Sequence, residues 1–150
     1  MGKGDYQVVV RHRNHLDMRT LEAVPLNTAT TTLVDFTLPG TATLGSYSRL
    51  ESQGVALMWA GDVNLSQTII GNGPGQDTNL ILGRVLGATG NADLNTNYIL
   101  DGYDGGDLNL DGKTVFAGPD NDVNLLLGNV LLHPDNALYA ANYIINGGLK

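Results

Sequence analysis

An offset of 45 residues lays the second half of the chain onto itself. The stretch GDVNLSQTIIGNGPGQDTNLILGRVL, from Gly61, aligns without a gap on GDLNLDGKTVFAGPDNDVNLLLGNVL, from Gly106. From Asp62 onward, 18 of 44 aligned pairs are identical. Unrelated segments of ordinary composition would share about 3. Each copy is therefore expected to form one supersecondary unit and to bury its apolar face against the other.

Each unit divides into three parts. A polar, glycine-rich loop comes first. An apolar run follows, opening at Asp77 in one copy and Asp122 in the other. Leu80, Ile81, Leu82, Val85 and Leu86 recur as Leu125, Leu126, Leu127, Val130 and Leu131, on one broad face of a helix. The two aspartates stand where an N-cap belongs. The third part carries Tyr98, Ile99 and Leu100, matched by Tyr143, Ile144 and Ile145. We read it as a short second helix starting near Asn91 or Asn136 and stopping at Gly102 or Gly147.

Residues 1–60 differ in kind. YQVVVRHRN alternates, TTTLVDFTL is rich in β-branched and aromatic residues, and GVALMWAG is a short apolar run. PLNTAT and LPGTATLGS are turn-prone, and 45–54 reads as a loop. The expectation is three to five strands in a small antiparallel sheet, conceivable as part of a larger sandwich. Trp59, three residues before the first loop, is a natural contact between sheet and helices.

The loops point to a hard cation. Calcium takes six to eight oxygens, and alternate residues of a curled loop can turn inward to supply them. In the second copy these are Asp107, Asn109 and Asp111, then Gly112 for the sharp turn and Lys113 through its backbone carbonyl. An ordinary loop of this kind closes twelve residues on, here at Gly118. Asp122, four residues later, can close it if AGPD bulges outward; Asp120 could replace or assist it. In the first copy Asp62, Asn64, Ser66 and the Thr68 carbonyl align, with Asp77 closing. Ser66 and Gln67 stand there for a carboxylate and a glycine, so weaker binding is expected. The opposing reading is that Asp, Asn and Gly are only turn formers.

The D-x-N-x-D-G loop, an Asp-initiated helix and their tandem repetition resemble dockerin modules, over about residues 60–150. Each loop departs from that pattern by about four extra residues. With the strand signals before it, the chain is expected to be α+β: a small antiparallel β-domain over 1–60, then, as the resemblance implies, two EF-hand-type loop–helix repeats at 61–105 and 106–150. It implies two bound calcium ions. It also implies, as an alternative role, docking of a cohesin-like protein partner through the repeat helices. The whole chain looks like C-terminal regions of large secreted bacterial surface proteins, which places it outside the cell or on its surface.

Other features set limits. A net charge of −7 argues against nucleic-acid binding and suits a cation binder. No cysteine is present, so disulfides and thiolate metal sites are excluded. No apolar run approaches a membrane span, so no insertion is expected. MGKGDYQ has no apolar signal region and reads as a start placed within a longer natural protein. No activated nucleophile stands out, the acids cluster in the loops, and a non-catalytic role is expected. GNGPG lacks the lysine of a phosphate loop. His12 and His15, on a strand, are expected to face opposite sides. His133 is expected in a loop, and Tyr98, Tyr103, Tyr139 and Tyr143 in core or interface.

Overall fold

The computed structural model describes residues 4–149. Its elements are β1 Gly4–Tyr6, β2 Val9–His12, β3 His15–Arg19, β4 Val24–Leu26, β5 Leu50–Ser52, β6 Val55–Leu57, β7 Thr68–Ile70, α1 Asp77–Leu86, β8 Ile99–Asp101, β9 Lys113–Val115, α2 Asp122–Leu132 and β10 Ile144–Asn146. The fold is α+β, with, among the described residues, two helices and strands joined only in antiparallel pairs: β1–β4, β2–β3, β5–β6, β8–β9 and β7–β10.

The helices form where the apolar spacing predicts. Ile81 and Val85 in α1, and Leu126 and Val130 in α2, are fully buried one turn apart. Leu80 and Leu125 lie at the edge of that face, about one-third exposed. The caps stand one residue earlier than expected, at Gln76 and Asn121. Asn121 accepts a hydrogen bond from Asn124 N at 2.8 Å. This moves Asp77 and Asp122 into the first turn and frees their carboxylates to reach back to the loops. Pro134 bars α2 from continuing past His133.

The third part of each unit is a strand, not a helix. β8 pairs with β9 and β10 pairs with β7. Each unit therefore lends its tail strand to the loop of the other. Asn91 and Asn136 do not start helices. Asn91 Nδ2 donates to the carbonyls of Val85 and Asn95, both at 2.9 Å, and its Oδ1 accepts from Asn95 N at 2.8 Å. Asn136 repeats this with Val130 O at 2.7 Å, Ala140 O at 3.0 Å and Ala140 N at 2.9 Å. One buried amide thus holds each helix end to the turn after it.

The first half is not one sheet. YQVVVRHRN supplies β2, which turns at Arg13–Asn14 into β3. Residues 30–38 form no strand, despite their composition. Their carbonyls go elsewhere: Arg49 donates to Phe36 O at 2.8 Å and Leu38 O at 3.0 Å, and to the next carbonyl, Pro39 O, at 3.1 Å, while Thr37 O accepts from Ala56 N at 2.8 Å. Asp35 accepts from Thr37 N at 2.9 Å. The span 45–54, expected as a loop, contains β5, which pairs with β6. One apolar cluster joins Leu16, Trp59 and Ala60 to Val63, Ile69, Ile81, Leu108, Leu126, Val130 and Ile145. Trp59 is 1% exposed there, and its Nε1 donates to Tyr47 O at 2.8 Å.

Candidate metal centre

The two loops share one backbone. Leu65 and Leu110, at equivalent positions, have φ 60 and 64, and Gln67 and Gly112 have φ 65 and 84. Gly73 and Gly118 follow at φ 129 and 120. Glycine takes the left-handed region freely at 112, whereas Gln67 occupies it at a cost of about 1 kcal/mol. Hydrogen bonds to the loop offset that strain: Gly147 N donates to Gln67 O at 2.9 Å.

The acidic side chains organise these curls. Asp62 Oδ1 accepts from Ser66 N at 2.7 Å and its Oδ2 from Gln67 N at 2.9 Å. Asn64 Oδ1 also accepts from Ser66 N, at 3.0 Å. Asp77 reaches back from α1, accepting from Val63 N at 3.0 Å and Ile70 N at 2.9 Å. In the second loop Asp107 accepts from Asp111 N at 3.1 Å and Gly112 N at 3.2 Å. Asn109 accepts from Asp111 N at 3.0 Å, and Asp122 from Leu108 N at 2.7 Å and Val115 N at 2.8 Å. Each closing aspartate thus ties the start of its loop to the strand that ends it.

Asp62, Asp77, Asp107 and Asp122 are all buried, at most 1% exposed. Burial raises the Asp77 carboxyl to about 6, against its backbone hydrogen bonds, with the Asp62 charge adding to the rise. Burial also raises Asp62 and Asp122; Asp17 pushes the former further and Asp107 the latter. Among the described residues no cationic side chain forms an ion pair with Asp62 or Asp77. Asp107 has one: Arg13 Nη2 lies 3.2 Å from its Oδ2, while Arg13 Nε donates to Asp104 O at 3.1 Å. Arg13 also lies over the Tyr103 ring, 5.1 Å from its centroid.

The remaining candidates lie further out. Ser66 Oγ donates to Thr68 O at 3.3 Å, so that carbonyl faces the first loop. Asp111 is exposed, its oxygens accepting from Lys113 N at 2.9 Å and Asn109 Nδ2 at 3.2 Å. Lys113 is exposed at the start of β9. Gly118, Pro119 and Asp120 form an exposed turn, with Asp120 at φ 55. Among the described residues no three acidic or histidine side chains converge on one point. The oxygens brought together are the buried pair of each loop with its neighbouring asparagine. Some of these oxygens already accept two donors, as Asp107 Oδ2 does from Gly112 N and Arg13 Nη2 and Asp122 Oδ1 from Leu108 N and Asn109 N, while others accept one; the all-oxygen set is of the kind a hard cation takes.

Two of the histidines differ from expectation. His12 and His15 do not face opposite sides: they are register partners across the β2–β3 turn, with their Nδ1 atoms 2.9 Å apart. Burial, then the charges of His12 and Arg13, lower His15 to about 4. His133 lies in the loop just after α2, as expected, but is buried there, with ring centroids of Trp59 at 5.0 Å and Tyr143 at 5.4 Å. Tyr143 packs on the core, whereas Tyr103 and Tyr139 are 78% and 66% exposed. Arg13, Asn14, Asn91 and Asn136 hold the loops and turns through side-chain hydrogen bonds. Only the recurrence of Asn91 as Asn136 signals any of them in the sequence.

Comparison with protein-family models, with curated proteins and with solved structures found no match. Among the described residues no helix is long and apolar enough to cross a membrane.

Proposed function

We propose that the chain is a calcium-stabilised, non-catalytic module of a secreted or cell-surface protein, built on two dockerin-like repeats. The observation that carries this is the buried pair Asp62 and Asp77, with no cationic side chain against it among the described residues. Two carboxylates out of water need either protons or a counter-ion. A calcium ion held by Asp62, Asn64, Ser66, the Thr68 carbonyl and Asp77 would supply one. Asp107, Asn109, Asp111, the Lys113 carbonyl and Asp122 would do so in the second loop, where the ion competes with Arg13. Binding confined to the folded state stabilises it by about 2.7 kcal/mol when calcium is 100 times Kd.

The test is calorimetric titration of chelator-stripped protein with calcium, beside Asp62→Ala and Asp107→Ala. Two binding events are expected, each lost with its own variant. No heat, or heat indifferent to both variants, would reduce the repeats to turn chemistry. A docking role for a cohesin-like partner is the second reading. It rests on equivalent apolar side chains left exposed in both units: Leu80 and Leu125, and Leu94 and Tyr139.

A further inference from the structure

The β2–β3 turn gathers three ligand-type atoms that the calcium loops do not use. His12 Nδ1 and His15 Nδ1 are 2.9 Å apart, and Asn14 Oδ1 lies 3.1 Å from the first and 2.7 Å from the second. Protons alone satisfy at most two of its three edges. A neutral imidazole carries one N–H, and an amide oxygen carries none. If both rings hold the proton at Nδ1, two N–H groups collide. If only one does, the other ring's lone pair faces the Asn14 oxygen. If neither does, all three edges set lone pair against lone pair.

The amide cannot turn to relieve this. Asn14 is fully buried, and its Nδ2 donates to Asp107 O at 2.6 Å, which fixes Oδ1 toward the rings. The rings are held too. They meet edge-on with centroids 4.7 Å apart, and the His15 backbone beneath its ring bridges to Ala60. Arg13, the nearest fixed cation in the turn, is engaged by Asp107 and the Asp104 carbonyl.

We propose that His12 Nδ1, His15 Nδ1 and Asn14 Oδ1 form a three-point site for a first-row divalent transition ion. Two ligands each about 2.0–2.1 Å from a metal and at right angles stand roughly 2.9 Å apart. The three edges of the triangle bracket that value, so the atoms match one face of a six-coordinate ion. Imidazole nitrogens select such ions over calcium, which wants oxygen alone. Each ring then keeps its proton at Nε2, and no edge opposes like to like. Both histidines border an open depression of about 620 Å³, also lined by Asn109, Asn129, Leu57 and Met58. Water can reach the remaining coordination positions from there.

The test uses tag-free protein in excess calcium, titrated with Co2+ and followed by calorimetry and proton NMR. Excess calcium occupies the loops if they bind it, so the result does not depend on that reading. One equivalent is expected, with paramagnetically shifted ring protons for His12 and His15 and unshifted ones for His133. The same equivalent should vanish in His12→Gln. No saturable equivalent, or shifts confined to the carboxylate loops, would overturn the site. So would binding that survives in His12→Gln. The NMR readout needs only the unaltered chain, so a variant that fails to fold leaves it decisive.

Discussion

Asn136→Ala removes a side chain that serves three backbone groups at once. Its Nδ2 donates to Val130 O and Ala140 O, and its Oδ1 accepts from Ala140 N. Val130 O has no other helical donor, because the residue four positions on is Pro134. The site is 4% exposed, so water cannot easily replace the amide. A net hydrogen bond contributes about 1 kcal/mol, and a buried group left unpaired costs about 1–3 kcal/mol. The sum expected is about 3 kcal/mol, or roughly 6–12 °C in Tm for a chain of this size. Urea and thermal unfolding followed by circular dichroism measure it, with exposed Asn79→Ala as the control near zero. Asn136→Asp should do no better than alanine, since it keeps the acceptor and sets a charge against two carbonyls. Loss below about 0.5 kcal/mol for Asn136→Ala, the range of an ordinary surface change, would refute the reasoning.

Three further outcomes are expected. If the first loop takes calcium, it takes it on ionised Asp77, whose carboxyl is raised to about 6 in the metal-free loop. First-site affinity should therefore hold from pH 8 to 7 and fall about tenfold by pH 5, since protons compete below the raised value; calorimetry of Asp107→Ala, which isolates that site, checks the direction. Arg13→Gln removes the cation from Asp107 and should raise second-site calcium affinity about threefold, as befits a partly exposed pair, in the same titration. Thr114 Oγ1 is buried and has no hydrogen-bond partner among the described residues, so Thr114→Val should stabilise by about 1 kcal/mol in urea unfolding.

What the sequence revealed and what it hid divide along range of interaction. The helices are legible because Ile81 and Val85, or Leu126 and Val130, mark one face within a single turn. The loops are legible because Asp62, Asn64 and Asp77 recur in register as Asp107, Asn109 and Asp122. Tyr98–Leu100 and Tyr143–Ile145 read as helices because their strand partners lie outside any local window. Composition misled at 30–38 for the opposite reason: the stretch forms no ladder, meeting β6 at Thr37 O, and Arg49 collects the carbonyls of Phe36 and Leu38. His12 and His15 meet because a turn interrupts what looks like one continuous strand. Arg13 reaches Asp107 only through folding, and nothing in its neighbours announces it.

The reciprocal loan of tail strands bears on how the chain is made. β9 can pair with β8 as soon as the second loop leaves the ribosome, since the two segments follow closely. β7 cannot: Ile69 waits for Ile145, which is synthesised only after both helices. The earlier half of the repeat is thus the later one to be finished. During translation Ile69 and the edge of its strand stand open, a template for any extended segment that arrives first.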